Sequence, residues 1–553
     1  MDRQPPRATS DEIDLYIRTY YSLLRSSGDV RVRGFEEAHI YSRSSLHLGA
    51  EDNNPDLAAF AYSAARLPDC FPRVRRIVLG QSVTQFQAAG FDIERWEIVR
   101  TRGRRRPLRY DGGQTLAMFI ASASDIDDLV PILAAYQLEW NKIRERLLAA
   151  RLSNLDDDAA VAAAVGIDQA GVAKLRGALG PRSSQILREM MLHDCDVFLR
   201  LLDGSYREYQ RSALRWWQAI APHVPSSRPV YFVSSNSHSL ANLFGGYARR
   251  HSGDILGFLR RNAVEDLIPR YDEAVAAGNE AVAANILYFA LRAFAHDDDE
   301  RMQQVQEADL QAGIRSIVSP GKIDVDAQVI DLAKLKLDEL DPRIRVPGID
   351  KLATSRALIV NIDYPLGMAA YHHLSALALG VDELRGIYVM GKAATLNGRV
   401  GDVMISKVVY DEHSSNTYMF RNALSATSVQ PFMKHGTVLD NQKAVTVRSA
   451  FLQNREYMDV FYRDGYTVME MEAGPYLSAA YEVAEPRRHP KDEIVSLVDR
   501  TLDFGIIHYA SDTPYSRRQH LLSKSLSYFG VESTYGCAIA IARRIFQAEI
   551  ERL

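Results

Sequence analysis

The chain reads as an α/β protein. Short apolar runs bounded by glycine or polar residues, such as RRIVLGQ and TLAMFIAS, have the length and flanks of strands. Longer stretches of helical periodicity separate them. The last two-fifths alternate apolar run, small-residue turn and helix-like run, while the part before it is longer and richer in helix signals. The expectation is an α/β C-terminal domain carried by a larger, helix-rich α/β N-terminal region.

Residues 1–150 mix both signals. After the two strand runs, DIDDLVPILAAYQLEWNKIRERLLAARL predicts a long helix with a break at Pro131. Residues 151–330 are mainly helical, interrupted by RPVYFVSSNSHSLANLFGGYARRH, which reads as strand, polar turn and helix. Pro320-Gly321 and Pro347-Gly348 punctuate the stretch that follows, so the junction is expected there, with the last domain over 331–553.

Composition limits the function classes. A chain of 553 residues has room for two to four domains. Hydrophobic residues at 47% and charged residues at 25% are ordinary for a globular protein. A net charge of −4 gives no electrostatic reason for a nucleic-acid or membrane partner. Cys70, Cys195 and Cys537 are the only cysteines and lie far apart, which argues against a disulfide framework or a cysteine-rich zinc site. The N-terminus lacks an apolar signal core, and no run of ~18 apolar residues occurs, so a cytoplasmic protein is expected.

Two acidic motifs near the C-terminus carry the chemistry. Glu470-Met471-Glu472-Ala473-Gly474 opens a helix-like run, and Ala510-Ser511-Asp512-Thr513-Pro514 follows the apolar run Gly505–Tyr509. Carboxylates at strand ends suit a sugar site, although helix-capping acids look the same in sequence. Elsewhere, Glu189, His193 and Asp196 are spaced for one helical face and have metal-binding side chains. Six arginines fall between Arg100 and Arg109, and Ser234, Ser235, Asn236 and Ser237 stand where a strand feeds a helix. The arginines read as a solvated loop rather than a phosphate or RNA site, the serines as helix caps or an anion site, and Trp216 and Trp217 as core or interface.

From about Ala357 to Leu553 the chain resembles the nucleoside phosphorylase and nucleosidase superfamily. The matching stretches come in order: ALIVNID, PLGMAAYHHLSALAL, RGIYVMGKAATLNGRVGDVMISKVVY, VRSAFLQN, VMEMEAG and HYASDTP. AMP nucleosidases likewise join an N-terminal domain to such a catalytic domain. The resemblance implies a three-layer α/β domain that cleaves the N-glycosidic bond of a purine nucleoside or nucleotide. It implies Asp512 as general acid beside Ser511, Glu472 on the ribose hydroxyls with Met471 against the sugar, and Phe451 and Leu452 at the base. Gly391, Lys392 and Ala393 would form a turn for an anion or the nucleophile, and no metal or organic cofactor would be needed. No arginine precedes that turn in GIYVM, which favours water over phosphate as nucleophile, and Lys392 is a candidate for a 5′-phosphate. His413, in a polar loop, would reach a substrate hydroxyl or a neighbouring subunit of a homo-oligomer, or simply cap a turn. The alternative is a nucleotide-binding sensor without turnover.

Overall fold

The computed structural model describes residues 11–553 apart from 27, 104–106, 153, 263–266, 500 and 514–529. The apolar runs become strands because sheet pairing satisfies their backbone while both faces are buried. In the first sheet these are β1 (Val30–Arg31), β2 (Arg76–Gly80), β3 (Glu97–Val99), β4 (Leu108–Tyr110), β5 (Thr115–Phe119) and β6 (Phe198–Leu201). They lie in the order β1-β6-β2-β5-β4-β3, with β2 parallel to both β5 and β6. The helix Ala123–Ala149 packs beside this sheet and runs unbroken through Pro131.

The second sheet is larger. It holds β7 (Val230–Ser235), β8 (Ile314–Ile317), β9 (Ala327–Asp331), β10 (Leu358–Asp363), β11 (Leu384–Thr395) and β12 (Val403–Asp411). It continues through β13 (Asn416–Met419), β14 (Val438–Thr446), β15 (Tyr466–Glu470), β16 (Ile494–Ser496) and β17 (Asp503–Asp512). The path runs β16-β13-β12-β14-β15-β11-β7-β10-β9-β8, and β17 pairs with both β11 and β12. Strands β11, β15, β14, β12 and β17 therefore close into a ring, while β7 to β10 extend from it as an open sheet.

Alternation along the strands feeds two hydrophobic layers. On β7, Val230 and Phe232 join one cluster and Tyr231 and Val233 the other. Helices Tyr206–Ile220, Ala369–Ala378 and Ala473–Ala484 cover the first face; Ser239–Gly245, Glu280–His296 and Val531–Ile550 cover the second. Trp216 is core, as expected, and donates its indole N–H to the Val325 carbonyl at 2.9 Å.

The strands pass from the first sheet to the second between β6 and β7. Pro320-Gly321 connects β8 to β9, which pair antiparallel inside the large sheet, so that punctuation marks a strand connection rather than a linker. The helices over 252–311 are an excursion between β7 and β8. The two halves also share a core. Phe451 and Leu452, from the segment after β14, are buried in a cluster whose other buried members lie between Ile13 and Tyr209.

Candidate active site

The carboxyl ends of the parallel strands β7, β10, β11 and β17 lie side by side. Asp512 ends β17. Register pairs Ala393 with Ala510 but Ala394 with Asp512, so Ser511 is the extra residue of a β-bulge. A bulge re-aims the side chains around it. Ser511 Oγ donates to Asp512 Oδ2 at 2.7 Å and lies 3.4 Å from the Ala393 carbonyl. Asp512 Oδ1 is buried and has no hydrogen-bond partner among the described residues. Burial raises this carboxyl above its ordinary range, against the opposing pull of Ser511, Arg66 and Lys392.

Lys392 is the neighbouring cation. Burial pushes its ammonium down to about 8, Asp512 opposes that shift, and Arg66 adds to it. The expected Gly391–Ala393 turn is instead strand: β11 continues to Thr395, and Gly391, Lys392 and Ala393 stand opposite His508, Tyr509 and Ala510. Pairing with β17 overrides the turn preference of the small residues. Arg66 was not singled out by sequence. It belongs to the N-terminal region, two residues past the helix Leu57–Ala64, and only the fold brings it here.

Glu472 is the residue before the helix Ala473–Ala484. Its Oε1 accepts from the Gly367 N–H at 3.2 Å. Gly367 has φ +52°, and the next amide, Met368 N–H, donates to Ser124 Oγ at 2.9 Å. Ser124 lies at the start of the long helix Ala123–Ala149, so the N-terminal region braces the loop that orients Glu472.

The deeper acid of the pair is Glu470. Its Oε2 accepts from the backbone N–H groups of Glu472 and Ala473, both at 2.7 Å, and Oε1 accepts from the Thr446 hydroxyl. Burial pushes its carboxyl up to about 8, with Glu472 adding to the shift. His508 Nε2 stands 3.8 Å away, and burial holds that imidazole down at about 4. The two are within ion-pairing distance, yet both shifts favour the neutral forms, so this is a buried acid beside a neutral imidazole.

Phe451, expected at the base, is 1% exposed; its ring meets Tyr62 edge-on at 5.3 Å and lies 6.0 Å from His39. Leu452 is buried in the same cluster, so neither offers an open face to a ligand. Met471 packs with Leu396, Val445 and Met469 under the ring of strands. His413 sits in the turn between β12 and β13, where its backbone N–H donates to Asp411 and burial holds its imidazole down at about 4.

The other features sort out locally. Asn236 Oδ1 accepts from the Ser239 N–H at 2.7 Å at the entry to the helix Ser239–Gly245, and Asp363 holds the Ser237 N–H. Glu189 is helical, but His193 is an extended C-cap and Asp196 lies beyond it near Arg31, so the three share no helical face. The residues Arg104, Arg105, Arg106 and Pro514 lie outside the described residues. Cys70, Cys195 and Cys537 are buried free thiols. Among the described residues, no helix is long and apolar enough to cross a membrane.

The chain belongs to DUF6909, a family of unknown function, whose model matches residues 32–547. No curated protein matches it. Among solved structures it is similar to the 5′-methylthioadenosine/S-adenosylhomocysteine nucleosidase of Colwellia psychrerythraea, at 13% identity over 43% of this chain and 86% of that one, with a TM-score of 0.27. It is also similar to the S-adenosylhomocysteine nucleosidase of Streptococcus pyogenes, at 10% identity over 59% and 98%, TM-score 0.30. A third, the 5′-methylthioadenosine/S-adenosylhomocysteine nucleosidase of Neisseria meningitidis, gives 14% identity over 45% and 96%, TM-score 0.29. These likenesses are weak and partial.

Proposed function

We propose that this chain hydrolyses the N-glycosidic bond of a purine nucleoside or nucleotide, with Asp512 as general acid. The observation that carries the reading is Asp512 itself: a desolvated carboxyl with one oxygen fixed by Ser511 and the other unpartnered among the described residues. A raised carboxyl retains its proton nearer neutral pH, which is what an acid catalyst needs. In the reaction the bond from C1′ to the base nitrogen breaks as Asp512 gives its proton to the leaving base. Water adds its oxygen to C1′, and the proton it sheds restores the acid. Glu472 accepts hydrogen bonds from the ribose 2′ and 3′ hydroxyls, a role that suits a carboxylate held by Gly367 at the mouth of a helix.

The test is release of free base from a panel of purine nucleosides and nucleotides without added phosphate. Ribose or ribose 5-phosphate is the expected product, and Asp512→Asn lowers turnover by roughly 10²–10⁴-fold while ligand binding persists. Release that requires phosphate and yields ribose 1-phosphate would overturn hydrolysis. Ligand binding with no base release from any member of the panel would favour the sensor reading.

A further inference from the structure

Two cations act electrostatically on a single acid at this site, and one of them comes from the N-terminal region. Arg66 and Lys392 both act on Asp512, and they repel each other. Arg66 is fixed rather than wandering: its Nη1 donates to the Tyr62 carbonyl at 3.0 Å, and its guanidinium lies 3.3 Å over the Tyr62 ring. Tyr62 in turn packs edge-on against Phe451. Arg66 Nε is buried and has no hydrogen-bond partner among the described residues. The backbone of Lys392 is paired in the sheet, but its ammonium has no hydrogen-bond or ion-pair partner among the described residues.

Burying like charges together is costly unless an anion offsets them. Asp512 is one carboxyl against two cations, and burial raises it above its ordinary range. His238, which also faces Lys392, adds no negative charge, and burial holds it down at about 4, neutral at physiological pH. The preformed arrangement is one guanidinium with an unused N–H and one ammonium, the donor set that a phosphate dianion satisfies.

We propose that Arg66 and Lys392 together bind a phosphate carried by the substrate, so that the N-terminal region completes the site and the substrate is a nucleoside 5′-monophosphate. This rests on the glycosidase reading above. If Glu472 holds the 2′ and 3′ hydroxyls, the 5′ oxygen is the ribose position left to carry the ester.

The experiment measures binding to the full chain by calorimetry, using ribose 5-phosphate, ribose and inorganic phosphate as probes. None of these contains the scissile bond, so binding is read independently of turnover. Ribose 5-phosphate is expected to bind at least tenfold more tightly than either other probe. Arg66→Met and Lys392→Met should each weaken it by about 10- to 100-fold, as loss of a charge-assisted contact does. Arg66→Lys, which keeps the charge and loses the fork, should recover part of the affinity, and thermal unfolding identifies any variant that fails to fold. Equal affinity for ribose 5-phosphate and ribose, or an Arg66→Met variant that binds as wild type, overturns the proposal. Inorganic phosphate binding as tightly as ribose 5-phosphate would assign the subsite to free phosphate and also overturn it. Tight ribose 5-phosphate binding without base release from any nucleotide would sink the glycosidase reading and leave the subsite. Rapid release from nucleosides that Arg66→Met leaves untouched would do the reverse.

Discussion

Glu470 is a buried acid whose surroundings favour its neutral form. Its oxygens serve two backbone amides and Thr446, and burial sets its carboxyl at about 8 against an ordinary 4.5. In the unfolded chain it ionises near its ordinary value, so between about 4.5 and 8 the unfolded state is charged while the folded state is not. Stability from this group is complete below 4.5 and is lost as pH rises through 8, by an amount on the order of a few kcal/mol. His508 has the opposite sign: held neutral down to about 4, it withdraws stability as pH falls below 6.5. Glu412, pushed up to about 7, adds a slope of the same sign as Glu470. The comparison is therefore between wild type and Glu470→Gln, a neutral side chain that keeps an acceptor for the two amides. Urea midpoints at several pH values between 5 and 8 should decline less steeply in the variant. Parallel curves would mean that Glu470 is charged in the fold.

At the scale of elements, the loop Leu366–Met368 links the long helix of the N-terminal region to Glu472. A Cβ on Gly367 would meet Ser124 Oγ at 2.3 Å, and φ +52° is a conformation that L side chains rarely adopt. Gly367→Ala should destabilise the chain by about 1–3 kcal/mol and weaken ribose binding through Glu472. Adding Ser124→Gly should relieve the clash but leave the backbone strain, recovering only part of the loss. A Gly367→Ala protein with unchanged stability and ribose affinity would show that the loop moves freely. Legibility also divides at this scale. ALIVNID and RRIVLGQ were readable as β10 and β2 because uninterrupted apolar runs leave few alternatives. The Gly391–Ala393 segment was not, since its strand depends on a ladder with β17 more than 100 residues away. Asp512 and Glu472 were nameable from motif order. Arg66 carries no local pattern, and only packing between the halves brings it to Asp512.

At the scale of the whole molecule, the two sheets are joined through Phe451 and Leu452. β7 pairs with a strand more than 100 residues downstream, after a helical excursion that reads in sequence as a separate region. Phe451→Ala should remove about 3–5 kcal/mol, the usual cost of emptying a buried aromatic site, read as a lower denaturant midpoint. Because Phe451 supports Tyr62 and Tyr62 carries Arg66, the same variant should weaken ribose 5-phosphate binding although residue 451 touches no ligand. Unchanged affinity would break that chain of contacts. The shared core also bears on how the protein is made. Translation delivers the first sheet early, yet two side chains of its core arrive only when residue 452 has emerged. At about 5–20 residues per second, the nascent first half waits some tens of seconds with an unfilled apolar hollow. The Tyr62 platform beneath Arg66 is therefore not packed against Phe451 until residue 451 has emerged.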